Sequence, residues 1–134
     1  MTKYFLVLIL PLSLLWAEIA PKYYIEWQDQ AQEALTIEVL DVNKEWCIIC
    51  RGPRAIEVKA KVTAVKRSKN GLKGGETLTI KYKHVPLGDR SGPRAIPILR
   101  EKNSYPAFLN KSGDFYRPAA RGNSFRDMSA YREK

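Results

Sequence analysis

The chain has 134 residues, and 23 Lys and Arg against 14 Asp and Glu give it a formal net charge of +9. This length suits one domain with a substantial hydrophobic core. With one histidine and two cysteines in the whole chain, the composition argues against metal centres rich in histidine and cysteine. The basic charge favours anionic partners.

The chain begins with the pattern of a secretory signal peptide. Lys3 precedes an apolar run of 13 residues from Tyr4 to Trp16, and Ala17 completes a cleavage site, which is the usual layout of such a peptide. The run is shorter than the roughly 20 apolar residues that a spanning helix needs. We therefore expect residues 1–17 to be a signal peptide and the protein to be exported, either periplasmic or secreted. Cleavage after Ala20 and retention of the segment as a membrane anchor are the alternatives.

Export changes which anionic partners are favoured. Removing residues 1–17 takes away one lysine and no acid, so the net charge falls from +9 to +8. Intact nucleic acid is not favoured as a partner outside the cytoplasm. The candidates are an anionic polysaccharide, a membrane surface or an acidic protein, and an ordinary solvated surface would have the same composition.

Residues 18–34 predict an N-terminal segment with one short helix. Pro21 argues against a long helix at its start, whereas good helix formers occupy residues 28–35 and predict one or two turns there. From Thr36 the apolar residues alternate with polar ones. This alternation slips by one residue at Leu40, as happens at a β-bulge.

Two alternating strands predict a hairpin in the middle of the chain. Residues 55–67 form the clearest strand, and the apolar residues of one face are Ile56, Val58, Ala60, Val62 and Ala64. A glycine-rich turn over residues 68–75 leads to a second strand over 76–85, whose inward residues are Leu78, Ile80 and Tyr82. Antiparallel pairing would leave one face of this hairpin wet.

Shorter apolar runs at 95–99, 105–110 and 115–120 predict further strands, and the polar residues 121–134 predict a frayed tail. The total is five or six short antiparallel strands with one short helix. This pattern predicts an all-β fold, a small five-stranded OB-like barrel over residues 35–120.

Two stretches carry a family resemblance. One is the strand 56–67 with Gly71-Leu72-Lys73-Gly74-Gly75-Glu76 and Thr79-Ile80-Lys81-Tyr82, and the other is Pro97-Ile98-Leu99 followed by residues 103–109. Over residues 35–120 the chain resembles the secreted OB-fold domains of the netrin-like group, which includes the tissue inhibitors of metalloproteinases, and uncharacterised exported bacterial relatives. The resemblance implies a fold only, because the N-terminal cysteine with which those inhibitors chelate zinc has no counterpart here.

Trp46-Cys47-Ile48-Ile49-Cys50 is the sharpest chemical motif. It resembles a thioredoxin-type redox site, in which a helix N-terminus lowers the pKa of the first cysteine. Here a Gly-Pro break and a strand follow the motif in place of a helix. In an oxidising compartment we expect Cys47 and Cys50 to form a local disulfide. A thiol–disulfide oxidoreductase is the alternative.

No catalytic residue, metal site or cofactor is predicted. His84 is the one histidine of the chain, and zinc usually needs at least three protein ligands. Nothing near His84 in the sequence marks a nucleophile, so catalysis by a Ser-His-Asp or Cys-His arrangement is not expected.

Four lysines make the candidate ligand-binding face. Lys59, Lys61, Lys81 and Lys83 fall on the polar side of the two hairpin strands. On an OB-like barrel such a face can bind an extended anionic polymer, although lysines on a wet sheet face also serve to discourage edge pairing. Aromatic residues for stacking are missing from this face unless Tyr23 or Tyr24 reaches it. The prediction is an exported, non-enzymatic binding domain of the cell envelope.

Overall fold

A computed structural model describes residues 21–45, 54–84 and 95–132. The predicted signal peptide and both cysteines lie outside these residues. The helices are α1 (Pro21–Gln30) and α2 (Ser129–Arg132), and a single 3-10 turn covers Arg121–Asn123. The strands are β1 (Glu33–Lys44), β2 (Arg54–Ser68), β3 (Thr77–His84), β4 (Ser104–Ser112) and β5 (Phe115–Pro118).

The five strands close into a barrel in the order β1-β2-β3-β5-β4, with β4 returning to β1. This confirms the predicted all-β, five-stranded OB-like barrel. The strands are not all antiparallel, because β3 and β5 pair in parallel at Ile80 and Tyr116. A closed ring with an odd number of strands cannot alternate direction everywhere, so closure itself requires at least one parallel pair.

The inner faces of the strands form the core, as the alternation predicts. On β2 and β3 the predicted inward residues are buried, with the exception of Ala64. Ala64 is exposed because the pairing of β1 with β2 shifts register near this position. The core cluster also includes Leu35, Ile37 and Val39 of β1, Ala107 and Leu109 of β4, and Tyr116 of β5.

The predicted irregularity at Leu40 is confirmed. The register of β1 against β2 shifts between Val39 and Asp41, and the side chain of Leu40 is 46% exposed. Bulges bend the strand and increase its twist. Three such shifts along β1 allow this 12-residue strand to curve around the barrel.

The short helix begins and ends earlier than the sequence predicts. Pro21 is its first residue, which is compatible with proline because the first helical N–H needs no partner within the helix. The helix ends at Gln30, and Glu33–Leu35 pair with both β2 and β4. Pairing on two sides outweighs the helix propensity of these residues, because propensity differences are small, up to about 0.7 kcal/mol per residue.

Two C-terminal regions also differ from prediction. Residues 95–99 form no strand, although Leu99 is buried in the core. The polar segment from residue 121 is packed on the barrel, with Phe125 and Met128 buried. The Gln28 amide of α1 donates hydrogen bonds to the backbone carbonyls of Asn123 (2.7 Å) and Arg126 (2.9 Å). These bonds tie residues 123–126 to α1.

Candidate functional site

All four predicted lysines are exposed on the outer face of β2 and β3. In the antiparallel register Lys59 lies opposite Thr79 and Lys61 opposite Thr77, while Lys81 lies opposite Glu57 and Lys83 opposite Ala55. The hairpin therefore brings them to one side of the barrel, but no lysine lies directly across from another.

Acidic residues interrupt this face. On the β1 side Asp41 lies opposite Lys59 and Glu38 opposite Lys61, and Glu57 lies opposite Lys81 on the β3 side. Opposite charges that face each other across strands attract and weaken the field that a distant anion experiences. Lys59, Lys61 and Lys81 thus belong to a mixed-charge surface.

A groove of about 800 Å³ opens beside Lys81 and Lys83. It lies where β1 ends, β2 begins and β3 ends, and it extends along β5. Its volume is in the range of sites for small ligands. The described residues that line it are Asn43, Lys44, Glu45, Ala55, Ile56, Glu57, Lys81, Tyr82, Lys83, Ile96, Phe115, Arg117 and Pro118.

The groove carries an excess of positive charge. Its described lining has four cations, Lys44, Lys81, Lys83 and Arg117, and two acids, Glu45 and Glu57. The carboxylate of Glu45 already accepts a hydrogen bond from the backbone N–H of Ala55 at 3.0 Å. Among the described residues, Arg132 and Asp29 form the one ion pair with a nitrogen–oxygen distance within 4 Å. The groove cations therefore have no carboxylate partner within 4 Å among these residues.

Phe115 is the centre of this positive patch. Its half-buried ring has the Lys81 ammonium 4.8 Å and the Arg117 guanidinium 5.6 Å from its centroid. Lys81 and Arg117 follow the parallel partners Ile80 and Tyr116, so the same pairing brings them side by side. Cations at these distances are attracted by the ring's electrons. The ring therefore holds two positive charges near one point.

Sequence reasoning missed Phe115 and Arg117 as functional residues. A signal was present, since Phe115 and Arg117 flank Tyr116 in an alternating stretch and must share the face opposite to it. The aromatic residues considered instead lie elsewhere. Tyr24 is buried in α1 and packs edge-on against Trp27 at 5.5 Å, and Tyr23 is exposed on the same helix.

Hydrogen bonds connect Tyr82 and His84 to residues 96–99 beside the groove. The hydroxyl of Tyr82 donates to the carbonyl of Pro97 (2.8 Å) and accepts from the N–H of Leu99 (3.3 Å). Burial is the main cause that raises the pKa of Tyr82 to about 12. His84 contacts the carbonyl of Ile96 through Nδ1 at 2.8 Å, and a carbonyl only accepts, so Nδ1 carries the proton. Both side chains hold residues 96–99 in place.

The remaining sequence predictions concern the cysteines, a metal site and a membrane-spanning helix. Cys47 and Cys50 lie outside it, so their disulfide stays a prediction. Among residues 21–45, 54–84 and 95–132, no three His, Cys, Asp or Glu side chains are grouped to hold a metal ion. No helix in these ranges has the length and apolar character needed to cross a membrane.

Comparison of the chain with known protein families, curated proteins and solved structures finds no match. The resemblance to the netrin-like group therefore stays a prediction. The structural evidence that bears on function is the groove with the charges and rings around it.

Proposed function

We propose that the protein is a non-enzymatic binding domain of the cell envelope that holds an extended, anionic polysaccharide in the groove. The observation that carries this proposal is the Phe115 ring with Lys81 and Arg117 within 4.8 and 5.6 Å of its centroid. A ligand at this point meets an apolar ring and two positive charges together.

The barrel geometry supports a chain-like ligand. OB-type barrels bind oligosaccharides and oligonucleotides across the face of strands 2 and 3 and the neighbouring loops. Here the groove cations come from three strands, because Lys44 is on β1, Lys81 and Lys83 are on β3 and Arg117 is on β5. A chain lying across the strands would contact these cations in turn.

An acidic sugar chain fits this arrangement better than the other anionic polymers. Each sugar unit combines a negative substituent with an apolar C–H face, and Phe115 offers buried area to that face. Proteins that bind single-stranded nucleic acid generally stack successive bases on several aromatic residues, whereas Phe115 and the buried Tyr82 are the aromatic residues in the described lining. The predicted export also favours an envelope polymer.

Two variants with the same change in charge test the proposal. The groove variant K81Q/K83Q/R117Q removes three cations from the groove, and the control variant K59Q/K61Q/K73Q removes three cations outside it. Binding to heparin and to a polyuronate is measured by affinity chromatography and titration at several salt concentrations. We expect at least a tenfold loss for the groove variant and a shallower salt dependence, because with each lost contact to a charged polymer fewer counterions are released on binding.

The control variant should bind within about twofold of the parent, since none of its three lysines lines the groove. Equal losses in both variants would mean that net charge alone drives binding and would refute the groove proposal. Reduction of a disulfide substrate that is lost in Cys47→Ser would instead support the oxidoreductase alternative.

A further inference from the structure

A second surface joins cations to aromatic rings, and it lies on α1 and the C-terminal segment. Lys22 lies 5.1 Å from the ring centroid of Tyr23, Arg121 lies 5.3 Å from that of Trp27, and Arg126 lies 5.9 Å from that of Tyr131. We call this surface the cation–aromatic face, and it consists of Lys22, Tyr23, Trp27, Arg121, Arg126 and Tyr131.

The elements of this face form one packed unit. The Gln28 amide binds the carbonyls of Asn123 and Arg126, and the guanidinium of Arg132 in α2 forms an ion pair with Asp29 of α1 at 2.6 Å. The unit is anchored to β2 by Arg67, which donates to the carbonyls of Gln28 and Ala31. The three cation–aromatic pairs are thus held on a common support.

The rings of this face remain accessible. Tyr23 is 45% and Tyr131 is 39% exposed, and Trp27 is half-buried. Within the described residues the other exposed large apolar side chains are Leu40 and Val65. Aromatic side chains with a polar tip, placed beside Lys or Arg, are typical of surfaces that sit at the boundary between lipid headgroups and acyl chains.

The charge on α1 and residues 121–132 is slightly positive. The cations Lys22, Arg121, Arg126 and Arg132 outnumber the acids Glu26, Asp29 and Asp127 by one, and Arg132 pairs with Asp29. Lys22, Arg121 and Arg126 have no ion-pair partner among the described residues. Their positive charge is therefore available to an external anion.

Arg121 adopts a backbone conformation that side-chain-bearing residues rarely use. Its φ is +48°, in the left-handed region, which costs on the order of 1 kcal/mol for a residue other than glycine. The chain turns here into the 3-10 turn, and the guanidinium of Arg121 comes to lie by Trp27. A strained arginine at this point is consistent with a binding role.

We infer that the cation–aromatic face docks onto a lipid membrane that contains anionic phospholipids, with its rings at headgroup level and its cations on lipid phosphates. The exposed rings favour a membrane over a soluble anion, because aromatic residues with a polar tip beside cations suit the boundary between lipid headgroups and acyl chains. If the apolar run were retained as an anchor, the alternative to its predicted cleavage, only four residues would separate Trp16 from Pro21 of α1.

The inference is tested with vesicles and two variants of equal charge. K22Q/R121N/R126Q removes three cations from the cation–aromatic face, and asparagine tolerates the left-handed conformation at position 121. The groove variant K81Q/K83Q/R117Q is the matched control. Flotation with vesicles of phosphatidylglycerol and phosphatidylcholine gives the partition coefficient, and heparin binding is measured in parallel. All proteins are purified in the same way, so any contribution of residues 1–20 is common to them.

We expect the face variant to lose at least about tenfold in partition to anionic vesicles, since each cation near such a surface contributes roughly fivefold, and to retain heparin binding. The groove variant should show the opposite pattern. If the triple variant does not fold, a second variant, Y23S/Y131S, takes its place. It changes two exposed rings and should also lower partition to the vesicles. Vesicle binding equal to that of the parent in the folded face variant, or equal losses in the face and groove variants, would overturn the inference. Loss of heparin binding without loss of vesicle binding concerns the groove, so it bears on the proposed function and not on this inference.

Discussion

Replacing Gln28 by methionine is expected to loosen the C-terminal segment from α1. The Gln28 side chain is 1% exposed, and its amide donates to the carbonyls of Asn123 and Arg126 at 2.7 and 2.9 Å. Methionine keeps nearly the same volume, so packing is largely preserved. The substitution removes both donors and leaves two carbonyls without their partner.

The size of the effect follows from these two bonds. Removing one partner of a buried hydrogen bond costs about 1–3 kcal/mol, and of the two bonds one is buried and the other partly buried. We therefore expect a loss of about 3 kcal/mol in the free energy of unfolding. This is a large share of the total for a domain, which is roughly 5–15 kcal/mol.

Denaturant unfolding and limited trypsin digestion measure the two consequences. The transition should move to lower denaturant, and cleavage after Arg121 and Arg126 should accelerate by up to roughly 100-fold if the segment opens locally. Gln30→Met is the matched control on the same helix, because the Gln30 amide is exposed and donates one long hydrogen bond of 3.4 Å, to the exposed Glu26. Its effect should stay within about 0.5 kcal/mol.

An unchanged transition in Gln28→Met would refute this reasoning, as would equal effects of the two substitutions. The first result would mean that other contacts hold the segment, such as buried Phe125 and Met128 and the ion pair of Arg132 with Asp29. The second would mean that the buried bonds of Gln28 contribute nothing specific, because glutamine and methionine have similar helix propensities.

Two further predictions concern pH. Burial raises the pKa of Tyr82 to about 12 from 10.0. The contribution of Tyr82 to stability is therefore fully present below pH 10 and is lost as the pH rises toward 12. Absorbance titration should show a late tyrosine step that is missing in Tyr82→Phe. The hydrogen bond from Arg132 lowers the pKa of Asp29, so the pair stabilises the fold above Asp29's ordinary pKa of 3.8 and its contribution is lost as the pH falls through the lower folded value. Since both side chains are about half exposed, Asp29→Asn should cost less than about 1 kcal/mol at pH 7, and unfolding at pH 3 and pH 7 should show a smaller difference in the variant.

The barrel was predictable because burial imposes a period of two on each strand. Leu78, Ile80 and Tyr82 had to share one face, and the slip at Leu40 had to produce an irregularity if residues on both sides of it were to reach the core. These are local consequences of alternation. They need no knowledge of which strand lies beside which.

The groove was not predictable in the same way, because it depends on which strands meet when the barrel closes. Lys81 and Phe115 are neighbours only through the parallel pairing of β3 with β5, which joins segments far apart in the sequence. The acids opposite Lys59 and Lys61 come from β1, and their positions depend on three register shifts. Alternation places a charge on a face, but it does not show which charges lie opposite each other.

The C-terminal segment escaped prediction because its composition is polar although its position is buried. Ser124 is 0% exposed, and its hydroxyl accepts from the N–H of Ala120 and donates to the carbonyl of Arg121. Buried polar groups are tolerated when they are hydrogen-bonded. A hydropathy pattern registers the hydroxyl of Ser124 and the amide of Gln28 as exposed groups, since it does not include their partners.

Both proposed surfaces use aromatic rings to position charge without neutralising it. A cation held by a carboxylate is ordered, but its field is largely cancelled for an incoming anion. Arg132 with Asp29 is an example. A cation over a ring is restrained by a weaker attraction of about 0.5–1 kcal/mol at an exposed site and keeps its full charge. All five cation–aromatic pairs within the described residues belong to the groove or to the cation–aromatic face. The lysines at positions 59 and 61 lie opposite acids. Within the part of the chain that the structure describes, aromatic rings thus order positive charge at the groove and at the cation–aromatic face.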